Sequence, residues 1–147
     1  MSHIVKPAPP WPAVPPAKTQ RGARTRQRLV DAAAVVFSEY GYGGARIADM
    51  VAHAGISHGN FYRHFQSKDE ILLAVLEGQL AGKAWVMGDE YTVADISIFP
   101  WVRNLVGFYG AGELVGWDDF PETRRVLEAF LARPAVQRGL DIPKRGA

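Results

Sequence analysis

One stretch of the chain, Ser57-His58-Gly59-Asn60-Phe61-Tyr62-Arg63-His64-Phe65-Gln66-Ser67-Lys68, gathers hydrogen-bonding side chains around two phenylalanines. Asn60 offers a donor and an acceptor together, the pair that reads the edge of adenine. His58 and Arg63 can donate to guanine or to phosphate. Lys68 stands where a helix start would give an anion both a side-chain charge and backbone amides. Gly59 costs a helix about 1 kcal/mol against alanine, a cost that makes sense where another backbone or a base edge must come close. The chemistry this set points to is recognition of duplex DNA in a major groove about 12 Å wide. The same side chains have a plainer reading. Tyr62 and His64 could cap a small core, and His58 and Arg63 could be ordinary solvated helix residues.

Other chemistry lacks its carriers. There is no cysteine, which removes disulfides, iron–sulfur clusters, thiolate zinc sites and a thiol nucleophile. No two of the four histidines, His3, His53, His58 and His64, stand at i, i+4, the pair that a helical metal site uses together with a carboxylate. No G-x-S-x-G, Walker or Rossmann motif is present. The expectation is therefore no catalytic residue, no cofactor, no metal, and a protein that is not an enzyme.

The elements that must position these residues follow from spacing. Leu29, Ala33, Phe37 and Tyr40 form one apolar stripe of a helix starting near Thr25 and stopping at Gly41–Gly44. A short helix over 46–54 turns Ile47, Met50, Val51 and Ala54 inward. Gly55 then takes a left-handed turn position. Ser57 caps a helix over 58–65 with Phe61 and Phe65 in the core. The order helix, glycine turn, helix is a helix–turn–helix, whose second helix can enter a major groove with His58, Gly59, Asn60, Arg63 and His64 outward. Ser67-x-x-Glu70 opens a fourth helix, with Ile71, Leu72, Val75 and Leu76 inward.

Beyond Gly78 and Gly82 the pattern restarts. Thr92 and Asp95 form a capping box, with Tyr91 and Ile96 at the staple positions, for a helix to about Val106 that is kinked at Pro100. Asp119 and Glu122 form a second capping box around Pro121, for a helix burying Val126, Leu127, Phe130 and Leu131. Pro134 opens a last short helix over 135–140. Phe99, Trp101 and Tyr109 are read as core rather than pocket lining.

The run Ile47-Ala48-Asp49-Met50-Val51-Ala52-His53-Ala54-Gly55-Ile56-Ser57-His58-Gly59-Asn60-Phe61-Tyr62-Arg63-His64-Phe65-Gln66-Ser67-Lys68-Asp69-Glu70-Ile71-Leu72, preceded by Gly41-Tyr42, resembles the DNA-binding domain of tetracycline-repressor (TetR) family regulators. The resemblance covers about residues 24–77. It implies a three-helix domain whose third helix reads operator DNA, with Tyr62, His64 and Lys68 clamping phosphates and His58 and Asn60 at base edges. Two positions depart from the family pattern. Thr or Ser is usual where Ala45 and Arg46 stand. The lost cap costs about 1 kcal/mol, and Arg46 can supply the phosphate contact instead. Val51 stands where alanine is usual, which widens the helix crossing.

Trp85-Val86-Met87-Gly88-Asp89-Glu90-Tyr91-Thr92-Val93-Ala94-Asp95-Ile96, with Asp119-Phe120-Pro121 and Ala132-Arg133-Pro134-Ala135-Val136, resembles the C-terminal helical domain of glutathione S-transferases. This likeness covers about residues 79–145. In that family Thr92 and Asp95 form a structural capping box. No strand–helix–strand pattern in residues 1–78 supplies the glutathione-binding domain of such enzymes.

The expected architecture is all-α: a Pro-rich, basic, disordered arm at 1–23, a helix–turn–helix domain at 24–78, and an incomplete transferase-like helical segment at 79–147. Residues 7–16 hold six of the ten prolines, and residues 1–30 hold six bases and no acid, a charge that suits a polyanion. The expected function is sequence-specific, repressor-type DNA binding. The alternatives are a transferase relative without its catalytic domain, or a fusion without an evolved activity. The expected partners are double-stranded DNA and a second copy of the chain. Whether residues 83–147 supply the dimer contact is left open, with Trp85, Trp101 and Trp117 as exposed aromatic candidates. A small-molecule effector is not expected, because the usual ligand domain is absent. No segment reads as a signal peptide or a membrane span, so the expected location is the cytoplasm.

Overall fold

The computed structural model describes residues 19–142. Its described residues form helices α1 (Gln20–Gly44), α2 (Ile47–Ala54), α3 (His58–Phe61), α4 (Lys68–Leu80), α5 (Val93–Arg103), α6 (Pro121–Leu131) and α7 (Pro134–Leu140). The fold is all-α. Among the described residues the sole strand-like pairing is an isolated bridge between Trp85 and Gly88. Also among them, no helix is long and apolar enough to cross a membrane. The chain divides into two compact units between Lys68 and Asp69, ten residues before the expected joint at Gly78.

In the first unit α1 begins earlier than its apolar stripe. Thr19 Oγ1 accepts from the Gly22 amide at 3.0 Å, so residues 20–23 are helical and not part of a disordered arm. Residues 1–18 of that arm lie outside the described residues. The helix breaks at Gly41, whose φ of 68° and ψ of 176° leave helical space. Glycine is required there because other residues rarely adopt positive φ. Leu29, Ala33 and Val36 are buried, whereas Tyr40 is 59% exposed. Tyr40 shares their face but stands at its far end, one residue before the break at Gly41. In α2, Met50, Val51 and Ala54 are buried as expected. The third helix is shorter than 58–65. It ends at Phe61, and hydrogen bonds from His64 and Phe65 to the Phe61 carbonyl carry the chain on as turns.

In the second unit Asp95 is fully buried and organises the start of α5. Its Oδ2 accepts from the Thr92 amide at 2.9 Å, and its Oδ1 from the Val86 amide at 3.0 Å. The Thr92–Asp95 capping box is present. Helix α5 runs through Pro100 and ends at Arg103, where the ladder widens into a π-helical turn over Asn104–Phe108. Proline lacks the amide that the Ile96 carbonyl would accept, and the wider turn follows within one helical repeat. Phe99 is fully buried as a core residue, tilted against Phe130 at 5.8 Å, but Trp101 is half-buried and Tyr109 is 62% exposed, so the expected core does not extend to them.

The second expected capping box does not form. Phe120, not Asp119, takes the cap position of α6 and offers no side-chain acceptor, because Pro121 sets the first helical residue. Glu77 of α4 does the work instead. Its carboxylate accepts from the amides of Glu122 and Thr123 and from the Thr123 hydroxyl, each at 2.9 Å. The three tryptophans proposed as exposed are each half-buried. Trp85 packs edge-on against Tyr91 at 4.9 Å, and the Arg133 guanidinium lies 3.6 Å from the Tyr91 ring centre.

Candidate nucleic-acid interface

The corner between α2 and α3 is fixed by backbone geometry. Gly55 has φ 69° and ψ 38°. Its amide donates to the Ala52 carbonyl at 3.2 Å, and the next amide, of Ile56, reaches the Val51 carbonyl at 3.0 Å. This pair of bonds is the Schellman closure that ends a helix and reverses the chain. Arg28 of α1 donates to the Ala54 carbonyl, so a cation covers the negative end of α2. Ser57 then caps α3, its Oγ accepting from the Asn60 amide at 3.2 Å.

Burial separates the two faces of α3. Phe61 and Phe65 are 0% exposed and pack at 5.9 Å. His58, Gly59, Tyr62 and Arg63 are exposed, and Asn60 and His64 are half-buried. Ser57, Gly59, Asn60 and Arg63 line one open concavity. Tyr62 is anchored edge-on to Phe61, with ring centres 5.3 Å apart, while leaving 52% of itself in solvent. A Cβ added to Gly59 would meet no atom of the chain within 4 Å, so packing does not demand glycine there.

Two basic residues of the expected set are engaged within the unit. Lys68 Nζ donates to the Tyr42 carbonyl at 2.8 Å and the Ala45 carbonyl at 3.1 Å, and lies 4.3 Å from the Tyr42 ring centre. Its ammonium thereby holds the end of α1. Arg46 stands at the uncapped start of α2 and turns its guanidinium onto Asp49 of the same helix, at 3.0 and 3.1 Å. Its side chain is 75% exposed, so this ion pair is solvent-screened and weak. The structure thus brings Ser57, Gly59, Asn60 and Arg63 to one concavity, leaves His58 and Tyr62 exposed, and gives Lys68 a bracing position.

His64 follows α3 in the turn. Partial burial, then the charges of Arg26 and Arg63, hold its imidazole below the ordinary histidine value. Arg26 of α1 lies over the neighbouring Phe65 ring, 4.7 Å from its centre. Sequence spacing alone missed Arg26 and Arg28 as supports of this corner. Their partners lie 39 and 26 positions away, and the one available signal was their place at the head of the α1 stripe.

The family model of bacterial regulatory proteins of the tetR family matches residues 29–75. That of the glutathione S-transferase C-terminal domain matches residues 63–134. The chain joins a TetR-type helix–turn–helix to a transferase C-terminal-like segment. The two matches overlap over residues 63–75, so the first part of α4 falls in both.

The relatives divide in the same way. The chain is 41% identical to the A-factor receptor protein of Streptomyces griseus over 43% of its own length and 23% of that protein. It is 38% identical to the disulfide-bond oxidoreductase YghU of Escherichia coli K12 over 58% of its length and 34% of that protein. Among solved structures, a glutathione transferase from Burkholderia graminis with two glutathione molecules bound per subunit is 42% identical. It matches with a TM-score of 0.52, covering 85% of this chain and 45% of that one. The chain therefore spans less than half of each of these proteins. The comparisons correct one expectation. The chain was read as not an enzyme, yet its solved neighbours and several curated relatives are glutathione transferases, which are enzymes.

Proposed function

We propose that the TetR-type unit binds duplex DNA through the exposed face of α3, as a sequence-specific transcriptional regulator. The observation that carries this reading is the division of α3. Across α3 and the turn that follows it, Phe61 and Phe65 are wholly buried while His58, Gly59, Tyr62 and Arg63 face solvent on a corner braced by α1. The match to the tetR-family model supports it. In this reading His58 and Asn60 meet base edges. Tyr62, Arg63 and His64 contact phosphates, and Gly59 lets the duplex approach the backbone. Arg46 exchanges Asp49 for a phosphate. Arg21 and Arg24, exposed on the first turns of α1, add sequence-independent attraction. A second copy of the chain would engage the second half of a palindromic site.

The test is selection of genomic fragments by the purified full chain, repeated with Tyr62→Ala and Arg63→Ala. The expected outcome is enrichment of a shared sequence by the wild type. Each variant should weaken binding to all duplexes and flatten its salt dependence. Unchanged binding in both variants would remove α3 from the interface.

A second reading is favoured by the 42% identity to a glutathione-bound transferase. In it the second unit serves glutathione chemistry as the helical half of a transferase-type fold. Retention on immobilised glutathione, with elution by free glutathione, would support it.

A further inference from the structure

The turn after α3 collects three basic side chains from two elements. Arg63 and His64 come from the turn itself. Arg26 reaches over from α1 and rests on Phe65, the residue beside His64. The charges that act on the imidazole, Arg26 and Arg63, are both positive. Arg63 is exposed, and His64 keeps part of its surface open. We propose that duplex binding by this unit takes up a proton at His64, so that acid strengthens the complex. The inference rests on the DNA-binding reading above and adds a regulation of the same surface.

The physical argument is one of linkage. In the free protein, partial burial and two guanidinium groups oppose a third positive charge, so His64 stays neutral near pH 7. Phosphates brought against Arg63 and Tyr62 cancel part of that repulsion and favour the imidazolium, which can then donate from both ring nitrogens. A group that binds its proton more tightly in the complex than in the free protein makes affinity rise as pH falls. One proton sets a ceiling of about tenfold per pH unit.

The experiment uses the full chain and a short duplex of mixed sequence. Fluorescence anisotropy is measured from about pH 6 to about pH 8, the range in which histidine titrates. The wild type should bind several-fold more tightly at the acid end. His64→Asn, which keeps a polar side chain without the titration, should lose the slope, while His53→Asn keeps it. In the wild type itself, NMR titration of the His64 ring should show its protonation moving to higher pH when duplex is added. That reading needs no variant to fold. Binding without a pH slope, a slope that survives in His64→Asn, or a His64 titration unmoved by duplex would each overturn the proton linkage and leave DNA binding standing. No binding to any duplex at any pH would overturn both.

Discussion

In the TetR-type unit, the side chains that tie distant elements together are cations aimed at carbonyls. Arg28 covers the end of α2, and Lys68 covers the carbonyls where α1 ends. In the transferase-like unit carboxylates aimed at amides hold the helix starts, Asp95 at α5 and Glu77 at α6, beside one cation, Arg125, that donates to the Leu80 and Lys83 carbonyls. Both choices complement the helix dipole, positive charge at C-termini and negative at N-termini. They differ in burial. Asp95 is wholly enclosed, whereas Glu77 and Lys68 are half-buried and Arg28 is exposed. An enclosed acceptor leaves its donors stranded when it is removed. A half-solvated cation leaves carbonyls that water can reach. The transferase-like unit therefore holds, in Asp95, the link on which stability depends most heavily.

That contrast predicts an order of effects. Asp95→Ala should cost the most, about 3 kcal/mol, since it removes a cap and strands the buried amide of Val86. Urea unfolding of the full chain, followed by tryptophan fluorescence, measures it. Trp85, Trp101 and Trp117 all report on this unit. Glu77→Ala should cost about 2 kcal/mol, and Glu77→Gln about half of that, because the amide oxygen keeps one acceptor. Equal losses in the two Glu77 variants would mean that charge, not hydrogen bonding, holds α6. Lys68→Met should cost about 1 kcal/mol, seen as faster amide exchange at the end of α1. A loss as large as that of Asp95→Ala would break the contrast between the units. Gly59→Ala should act in the opposite sense. Its Cβ meets nothing in the chain, so stability rises by up to about 1 kcal/mol while duplex affinity falls. A rise in both would show that nothing approaches this backbone closely.

Local signals were legible in the sequence and distant ones were not. The Thr92–Asp95 box, the left-handed Gly55 and the Ser57 cap each join residues within three positions, and each stands as expected. The Asp119–Glu122 box has the same form and fails, because Pro121 moves the helix start by one residue and Glu77, 45 positions earlier, already satisfies the amides. Periodicity placed Leu29 and Ala33 in the core but carried the stripe too far, to an exposed Tyr40. Trp85 looked free because Arg133, whose guanidinium lies 5.7 Å from its ring centre and 3.6 Å from that of Tyr91, stands between α6 and α7, more than forty residues on. At the interface, side-chain types pointed to Lys68 as a phosphate ligand. Its carbonyl partners, 23 and 26 positions away, could be found only in the fold.

The central claim is that the solvent-facing side of α3 is the surface that meets a duplex. Amide chemical shifts of the isotopically labelled full chain, followed while a short duplex is titrated in, address it directly. The account predicts that the largest changes fall on residues 57–64, with small changes at the start of α1 and little movement across α5 to α7. Changes concentrated in α5 to α7, with residues 57–64 unmoved, would contradict it.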